Sequence, residues 1–356
     1  MIIERAVVRQ LSFPLITPYK LSMGNLHLFD PIVLELLDKE GRSGWGECLI
    51  IPGYTEETVE GSWNTAIELG ERLKKVAIGQ AHSIIAGYGG RYPGMASTAY
   101  AALDMLCSET PFSVDKETRV PLLAPCQAHE AHAIRDEIDA LLEAGFGTLK
   151  IKVGYKWQDD LDRMSIIQGC VAGRASLRLD ANQGYSNEDG QSFASRLHPQ
   201  GIELLEQPCA SADWEANARV AAVSTVPVML DESIYKVSDI DRAATIPNVG
   251  YVKLKLKKIG SAQQLSAALQ RIRDLGMTPV LGDGVSIELG CWMEACVAAK
   301  GISNAGEMNG FLKTRTRLFE NPLPFTDGAI HLPAGYWPRI DRSVLNAHTL
   351  RMRDIY

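Results

Sequence analysis

The sequence predicts an α/β fold: a (β/α)8 barrel preceded by a small α+β domain, which a C-terminal tail returns to complete. Three observations carry this expectation. The 356 residues exceed one small domain and suit a barrel of about 250 residues with an addition. From about residue 119 onward, strand-like and helix-like runs alternate strictly. Ionisable residues also recur at the ends of the strand-like runs: Lys152 in TLKIKVG, Asp180 in SLRLDANQG, Glu206 in IELLEQP, Asp231 in VPVMLDES, Lys255 in YVKLKLKKIG, Asp283 in TPVLGDG and Glu307 in SNAGEMNG. From Lys152 the steps are 28, 26, 25, 24, 28 and 24 residues, about the length of a strand, a loop, a helix and a return loop. Such a barrel gathers the C-terminal ends of its strands around one mouth, where active sites of this architecture lie.

Taken in order, residues 2–10 alternate as a strand, and 31–37 and 44–49 read as two more, joined by a hairpin-type turn at Lys39–Gly41. Residues 16–30 read as a long loop, and 50–55 as a second loop before a helix capped by Thr55, with Glu57 in its first turn. An apolar helix is expected at 95–107. Residues 1–117 thus form the first domain, with Tyr19 and Tyr54 as lid-loop candidates. Residues 118–320 form the barrel, with strands at 120–125, 147–152, 176–180, 202–206, 227–231, 250–255, 278–282 and 303–307. Helices fill the intervals, among them 157–171 and 261–275, the latter ended by Gly276. The tail 321–356, rich in Pro and aromatic residues, is expected to lie against the first domain.

Composition bounds the partners. At 46% hydrophobic and 22% charged residues the chain has ample core. Its net charge of −7 comes without a Lys/Arg-dense stripe, so nucleic acid is not an expected partner. The seven cysteines form no metal-ligand pattern, which suits a reduced, cytoplasmic protein. The N-terminus lacks the long apolar core of a signal peptide, and no apolar run reaches membrane-spanning length. A homo-oligomer is expected.

Asp180, Glu206 and Asp231 stand at the ends of three consecutive strands, so their carboxylates should converge. Unpaired, they would repel one another; a divalent cation resolves this, and oxygen-only ligands suit Mg2+ or Mn2+. The strand ends on either side carry Lys152 and Lys255. Lys150, two residues before Lys152, is expected to lower the pKa of Lys152 by like charge and make it a usable base. A metal holding a substrate carboxylate between two bases is a device for removing the proton α to that carboxylate, with the metal stabilising the enediolate.

The set Lys150-x-Lys152, Asp180-x-Asn182, Glu206-Gln-Pro208, Asp231-Glu-Ser233 and Lys255 resembles the enolase superfamily, specifically its muconate lactonizing enzyme subgroup, over nearly the whole chain. The resemblance implies a modified TIM barrel, Mg2+ on Asp180, Glu206 and Asp231, and acid/base roles for Lys152 and Lys255. It implies supporting places for Lys150, Asn182 and Glu232, and specificity from the N-terminal loops. The mandelate racemase subgroup uses an Asp–His pair with its His on the seventh strand. No histidine lies between His198 and His331, so that pair cannot be built.

The expected activity is α-proton abstraction from a small-molecule carboxylate. Racemisation or epimerisation of an amino-acid derivative leads; cycloisomerisation or dehydration stands behind it, and a catalytically idle binding paralogue is the remote alternative. The choice of substrate rests on Asp283 and Glu307, two carboxylates on strands seven and eight with no arginine between Arg273 and Arg315, which would favour a cationic substrate group. For Glu307 a salt bridge to a lysine across the mouth is the alternative; for Asp283, an Asx-turn. Tyr185 and Trp292 are expected to serve packing.

Overall fold

The computed structural model describes residues 1–21, 24–52, 55–108 and 110–356. Ile3–Leu11 (β1), buried along most of its length, opens the chain, followed by the hairpin Phe13–Leu21 (β2) and Gly24–Phe29 (β3), then Ile32–Asp38 (β4) and Ser43–Cys48 (β5). The stretch read from sequence as a loop at 16–30 is therefore largely a pair of strands, antiparallel and shifted in register between Pro14 and Tyr19. Pro14 and Pro18 interrupt its alternation, and Ile16 and Leu28 are exposed, so the usual half-buried signature is missing.

Helices Val59–Leu73 (α1), Ile78–Ala86 (α2) and Pro93–Leu106 (α3) cover one face of β1, β4 and β5. The α1 cap is Thr58, whose hydroxyl accepts from Gly61 N at 3.1 Å, not Thr55. Glu57 instead accepts from Gly94 N at the start of α3, where a carboxylate complements the helix dipole. Gly44 and Gly46 let α3 lie directly on β5: a Cβ at Gly46 would come within 1.9 Å of Thr98 O.

The strict alternation then begins. It runs Thr118–Pro121 (β6), Ala124–Cys126 (β7), Ala131–Glu143 (α4), Thr148–Lys152 (β8), Trp157–Val171 (α5), Ser176–Asp180 (β9) and Asn187–Arg196 (α6). It continues with Ile202–Glu206 (β10), Trp214–Val223 (α7), Val228–Leu230 (β11), Val237–Ala243 (α8), Val249–Leu254 (β12) and Leu256–Ile259 (α9). Ala262–Asp274 (α10), Thr278–Leu281 (β13) and Glu288–Gly301 (α11) complete it. Helix α10 starts in a capping box of Ser261 and Gln264 and stops before Gly276, at φ +80.

The parallel sheet has seven strands in the order β13-β12-β11-β10-β9-β8-β7. The expected eighth strand at 303–307 is an irregular segment that closes the barrel by hydrogen bonds: Glu307 N donates to Leu281 O and Gly306 N to Pro121 O, each at 2.9 Å. Gly282, at φ +131, makes this approach possible, since a Cβ there would lie 2.6 Å from Glu307 N. The expected strand 120–125 is likewise split. β7 joins the barrel, whereas β6 turns away to pair with the tail.

After the barrel come Phe325–Thr326 (β14), Ala329–Leu332 (β15), Arg342–Ala347 (α12) and Thr349–Ile355 (β16). β15 pairs with β6, and β16 pairs antiparallel with β1 from Ala6↔Ile355 onward. Glu288 anchors the approach to the tail: its buried carboxylate accepts from the backbone N–H of Leu318, Phe319 and Leu323 and from Arg317. Leu204, Met229 and Val280, with Tyr251 against them, form a small separate apolar cluster. Each lies on an inward register two residues from a charged or mouth position, so these side chains plug the barrel beneath the ionic residues. No helix of the described residues is long and apolar enough to cross a membrane.

Candidate active site

Strand period two and parallel register explain why the charges meet. Lys152 pairs with Asp180 between β8 and β9, and Asp180 with Glu206 between β9 and β10. Asp231 follows β11 directly, and Lys255 follows β12 directly, two residues beyond Lys253 and on the same side by strand alternation. Asp180, Glu206 and Asp231 are at most 2% exposed.

Each carboxylate faces ammonium groups. Lys152 donates to Asp180 at 2.5 Å and also to Asn182, whose Nδ2 donates to Glu232 at 3.0 Å. Lys255 donates to both oxygens of Asp231, at 3.0 and 2.7 Å. Lys150 lies within 3.0 Å of Asp180, Glu206 and Glu307. Lys253 contacts Glu206 at 3.1 Å and Glu307 more closely. Lys258, one turn beyond Lys255, donates to Asp231 O and Oδ1 at 2.7 and 2.8 Å.

Burial alone would drive these lysines toward the neutral amine and these acids toward the neutral carboxyl; the opposed charges decide the outcome. For Lys150, burial is outweighed by Asp180, Glu206 and Glu307, which hold it firmly protonated. Lys150 is thus neutralised by three acids. Lys255 is held up by Asp231 against its burial. Lys258 is the exception, since burial pulls it down to about 8. Asp231 is held well below the carboxylate range against burial by Lys255, Lys258 and Lys253. Burial and the neighbouring Asp180 raise Glu206, and burial with Asp231 raises Glu232 to about 7.

Asp283 and Glu307 depart from expectation. Asp283 is paired with Lys257 at 2.7 Å, and Glu307 with Lys150 and Lys253. Neither is an uncompensated carboxylate awaiting a cationic substrate, and Glu307 takes its alternative role as a salt-bridge partner. From the sequence, Lys253 and Lys257 entered only as lysines able to neutralise Asp283 and Glu307, and Lys258 and Gln207 had no place in the site. The signal for Lys253 was visible, because Lys253-x-Lys255 repeats the spacing of Lys150-x-Lys152. Gln207 accepts from Asp231 N and Ser233 N, both at 3.1 Å, and so fixes the turn that carries Asp231. Tyr185 and Trp292 serve packing as expected, at 4% and 0% exposure.

A cavity of about 250 Å³ opens beside Lys152, lined by Tyr19, Gln127, His129, Tyr155, Arg163 and Asn182 among others. Tyr19 therefore sits over the mouth from the β2–β3 hairpin, with Lys313 Nζ 4.0 Å from its ring centroid. Tyr54 lies outside the described residues.

Among the described residues no three His, Cys, Asp or Glu side chains form a ready-made ligand cluster, because lysine ammonium groups stand between the carboxylates. The donor set nevertheless fits a hard divalent cation. It is oxygen-only, buried and placed on three adjacent strand ends.

The fold and the site define a barrel enzyme built around a buried carboxylate–lysine lattice. Residues 133–336 match the family model described as enolase C-terminal domain-like, and the chain belongs to that family. It is 28% identical over 323 residues to the hydrophobic dipeptide epimerase of Citrifermentans bemidjiense, covering 83% of each chain. The dipeptide epimerase of Cytophaga hutchinsonii, solved with Mg and the dipeptide D-Ala-L-Val, superposes with a TM-score of 0.89 at 20% identity over the whole of both chains. The muconate lactonizing enzyme of Pseudomonas putida gives a TM-score of 0.85 at 20% identity, over 98% of this chain and all of the other. The relatives are enzymes, and this chain is an enzyme of the same superfamily.

Proposed function

We propose that the protein is a Mg2+-dependent epimerase or racemase of an amino-acid derivative, most simply a dipeptide, acting by 1,1-proton transfer at the carbon α to a carboxylate. The observation that carries this reading is the placement of two lysines on opposite flanks of one carboxylate row, Lys152 on Asp180 and Lys255 on Asp231. A single base suffices for elimination; a base on each flank is what inversion at carbon requires. The names of the dipeptide epimerase relatives support the same choice.

In this reading Asp180, Glu206 and Asp231 hold Mg2+, with Mn2+ able to replace it. The bound cation would supply positive charge to stabilise the enediolate. Lys152 removes the α-proton from one stereoisomer as the free amine, and Lys255 returns a proton from its ammonium on the other face; the roles reverse for the other isomer. Asn182 orients Lys152 and joins it to Glu232, and Gln207 holds the Asp231 turn. Residues 1–117 act as the cap, with Tyr19 at the mouth, residues 118–320 as the catalytic barrel, and 321–356 as the strap that returns to the cap. The enzyme is taken as a cytoplasmic homo-oligomer.

A second reading is one-base cycloisomerisation or dehydration, favoured by the unequal exposure of the two side chains: 25% for Lys152 and 6% for Lys255. The experiment that separates them is α-hydrogen exchange in D2O over a panel of dipeptides, N-acylamino acids and hydroxy acids. Exchange with inversion in an amino-acid derivative, abolished by chelation, is expected. Turnover confined to lactonisation or loss of water would overturn the epimerase reading.

A further inference from the structure

The charged residues at the barrel mouth are arranged symmetrically about Glu206. From β8 to β12 the strand ends carry lysine, aspartate, glutamate, aspartate and lysine. The outer lysines, Lys152 and Lys255, each hold one outer aspartate, at 2.5 and 2.7 Å. The inner lysines, Lys150 and Lys253, both reach Glu206, at 3.0 and 3.1 Å, and both reach Glu307 on the far side of the barrel. Lys253 also lies 3.6 Å from Asp231 Oδ2. Its side chain is 2% exposed and does not line the cavity beside Lys152. Its ammonium is committed to three carboxylates.

We propose that Lys253 is a positioning residue that sets the affinity of the site for its divalent cation. This rests on the reading of Asp180, Glu206 and Asp231 as the metal ligands. Lys253 shares Glu206 and Asp231 with the cation. It keeps those carboxylates oriented in the metal-free protein, where they would otherwise repel each other in a buried setting. The cost falls on metal binding, because a fixed positive charge beside two ligands opposes a dication by direct repulsion and by competition for the same oxygens. Glu307 acts in the opposite direction: by accepting from both inner lysines it draws them away from the ligand row. The lattice thus trades affinity for preorganisation, and Lys253 and Glu307 are its two opposed controls.

The test is Mg2+ affinity by titration calorimetry, with thermal melting in the presence and absence of Mg2+. Lys253→Met should bind Mg2+ about tenfold more tightly or better, melt lower without metal, and gain more on adding it. Glu307→Gln should bind about tenfold more weakly, and the double variant should return toward the wild type. A purely structural role for Lys253 predicts weaker binding when it is replaced, not tighter. A folded Lys253→Met that binds no more tightly than wild type overturns the inference. If Lys253→Met folds only with Mg2+, the preorganising role is supported, and an undiminished affinity in Glu307→Gln would still overturn the inference. Wild-type protein with no Mg2+ affinity at all would remove the metal reading and this inference together; wild-type binding with unaltered variants removes this inference alone.

Discussion

At the scale of single residues, the mouth of the barrel is governed by how many ammonium groups each carboxylate must share. Asp231 faces Lys253, Lys255 and Lys258, whereas Glu206 faces Lys150 and Lys253 and has Asp180 as its neighbour along the row. That difference is why Asp231 stays ionised so readily while burial and Asp180 push Glu206 the other way. Glu206→Gln keeps the size of the side chain but removes the central donor charge. It should abolish measurable Mg2+ binding and α-hydrogen exchange together; retained exchange in the metal-saturated variant would contradict the ligand assignment. The acids at 180, 206 and 231 and the lysines at 152 and 255 were legible because barrel periodicity alone aligns strand ends. What could not be read was which ammonium pairs with which acid. For Asp283 and Glu307 a lysine partner was an open alternative in the sequence, because Lys257 and Lys253 are distant from them along the chain and only barrel closure brings them together.

At the scale of elements, buried carboxyl groups at backbone N–H positions make a seam that joins β5 to α11, and α11 to the segments that follow β12 and β13. Glu47 accepts from Ile287 N at 2.8 Å at the start of α11, and Glu294 accepts from Leu256 N at 3.0 Å and Asp283 N at 3.1 Å. Burial raises Glu47 to about 8 and Glu294 to about 7. A carboxyl group raised in the folded state contributes stability that is complete below its unfolded pKa, about 4.3, and is lost as pH climbs through the folded value. The seam should therefore weaken between about pH 5 and 8. Glu47→Gln should flatten the fall of Tm over that interval, and an unchanged slope would show that the seam does not titrate. Glu288 makes a second seam, and Glu288→Ala should cost about 3–5 kcal/mol in chemical denaturation, because it strips a buried charge from Arg317 and three backbone donors. A loss under about 1 kcal/mol would mean water replaces the carboxylate there. Elements with an uninterrupted period, such as α5, α10 and the strands from β8 to β13, were legible in the sequence. The β2–β3 hairpin was not, since two prolines and a largely exposed face remove its alternation, and the last barrel position was not, since glycine-flanked backbone closes the ring without forming a strand.

At the scale of the whole molecule, the chain ends where it began: β16 runs beside β1, so residues from both termini build the sheet over the barrel. Removing 349–356 would uncover the edge of β1 and take the buried Ile355 side chain out of the apolar cluster it fills, and should lower Tm while leaving Mg2+ affinity intact. The central claim, however, concerns inversion at carbon by two lysines, and one measurement meets it directly. Each stereoisomer of an accepted substrate is incubated in D2O with wild type, Lys152→Ala and Lys255→Ala, and α-deuterium incorporation is followed. Wild type should exchange both isomers. Each variant should lose exchange from a different isomer by a factor of about 10²–10⁴, the usual worth of a positioned acid–base group. If one lysine could be removed with both isomers still exchanging at wild-type rates, the two-base account would be wrong.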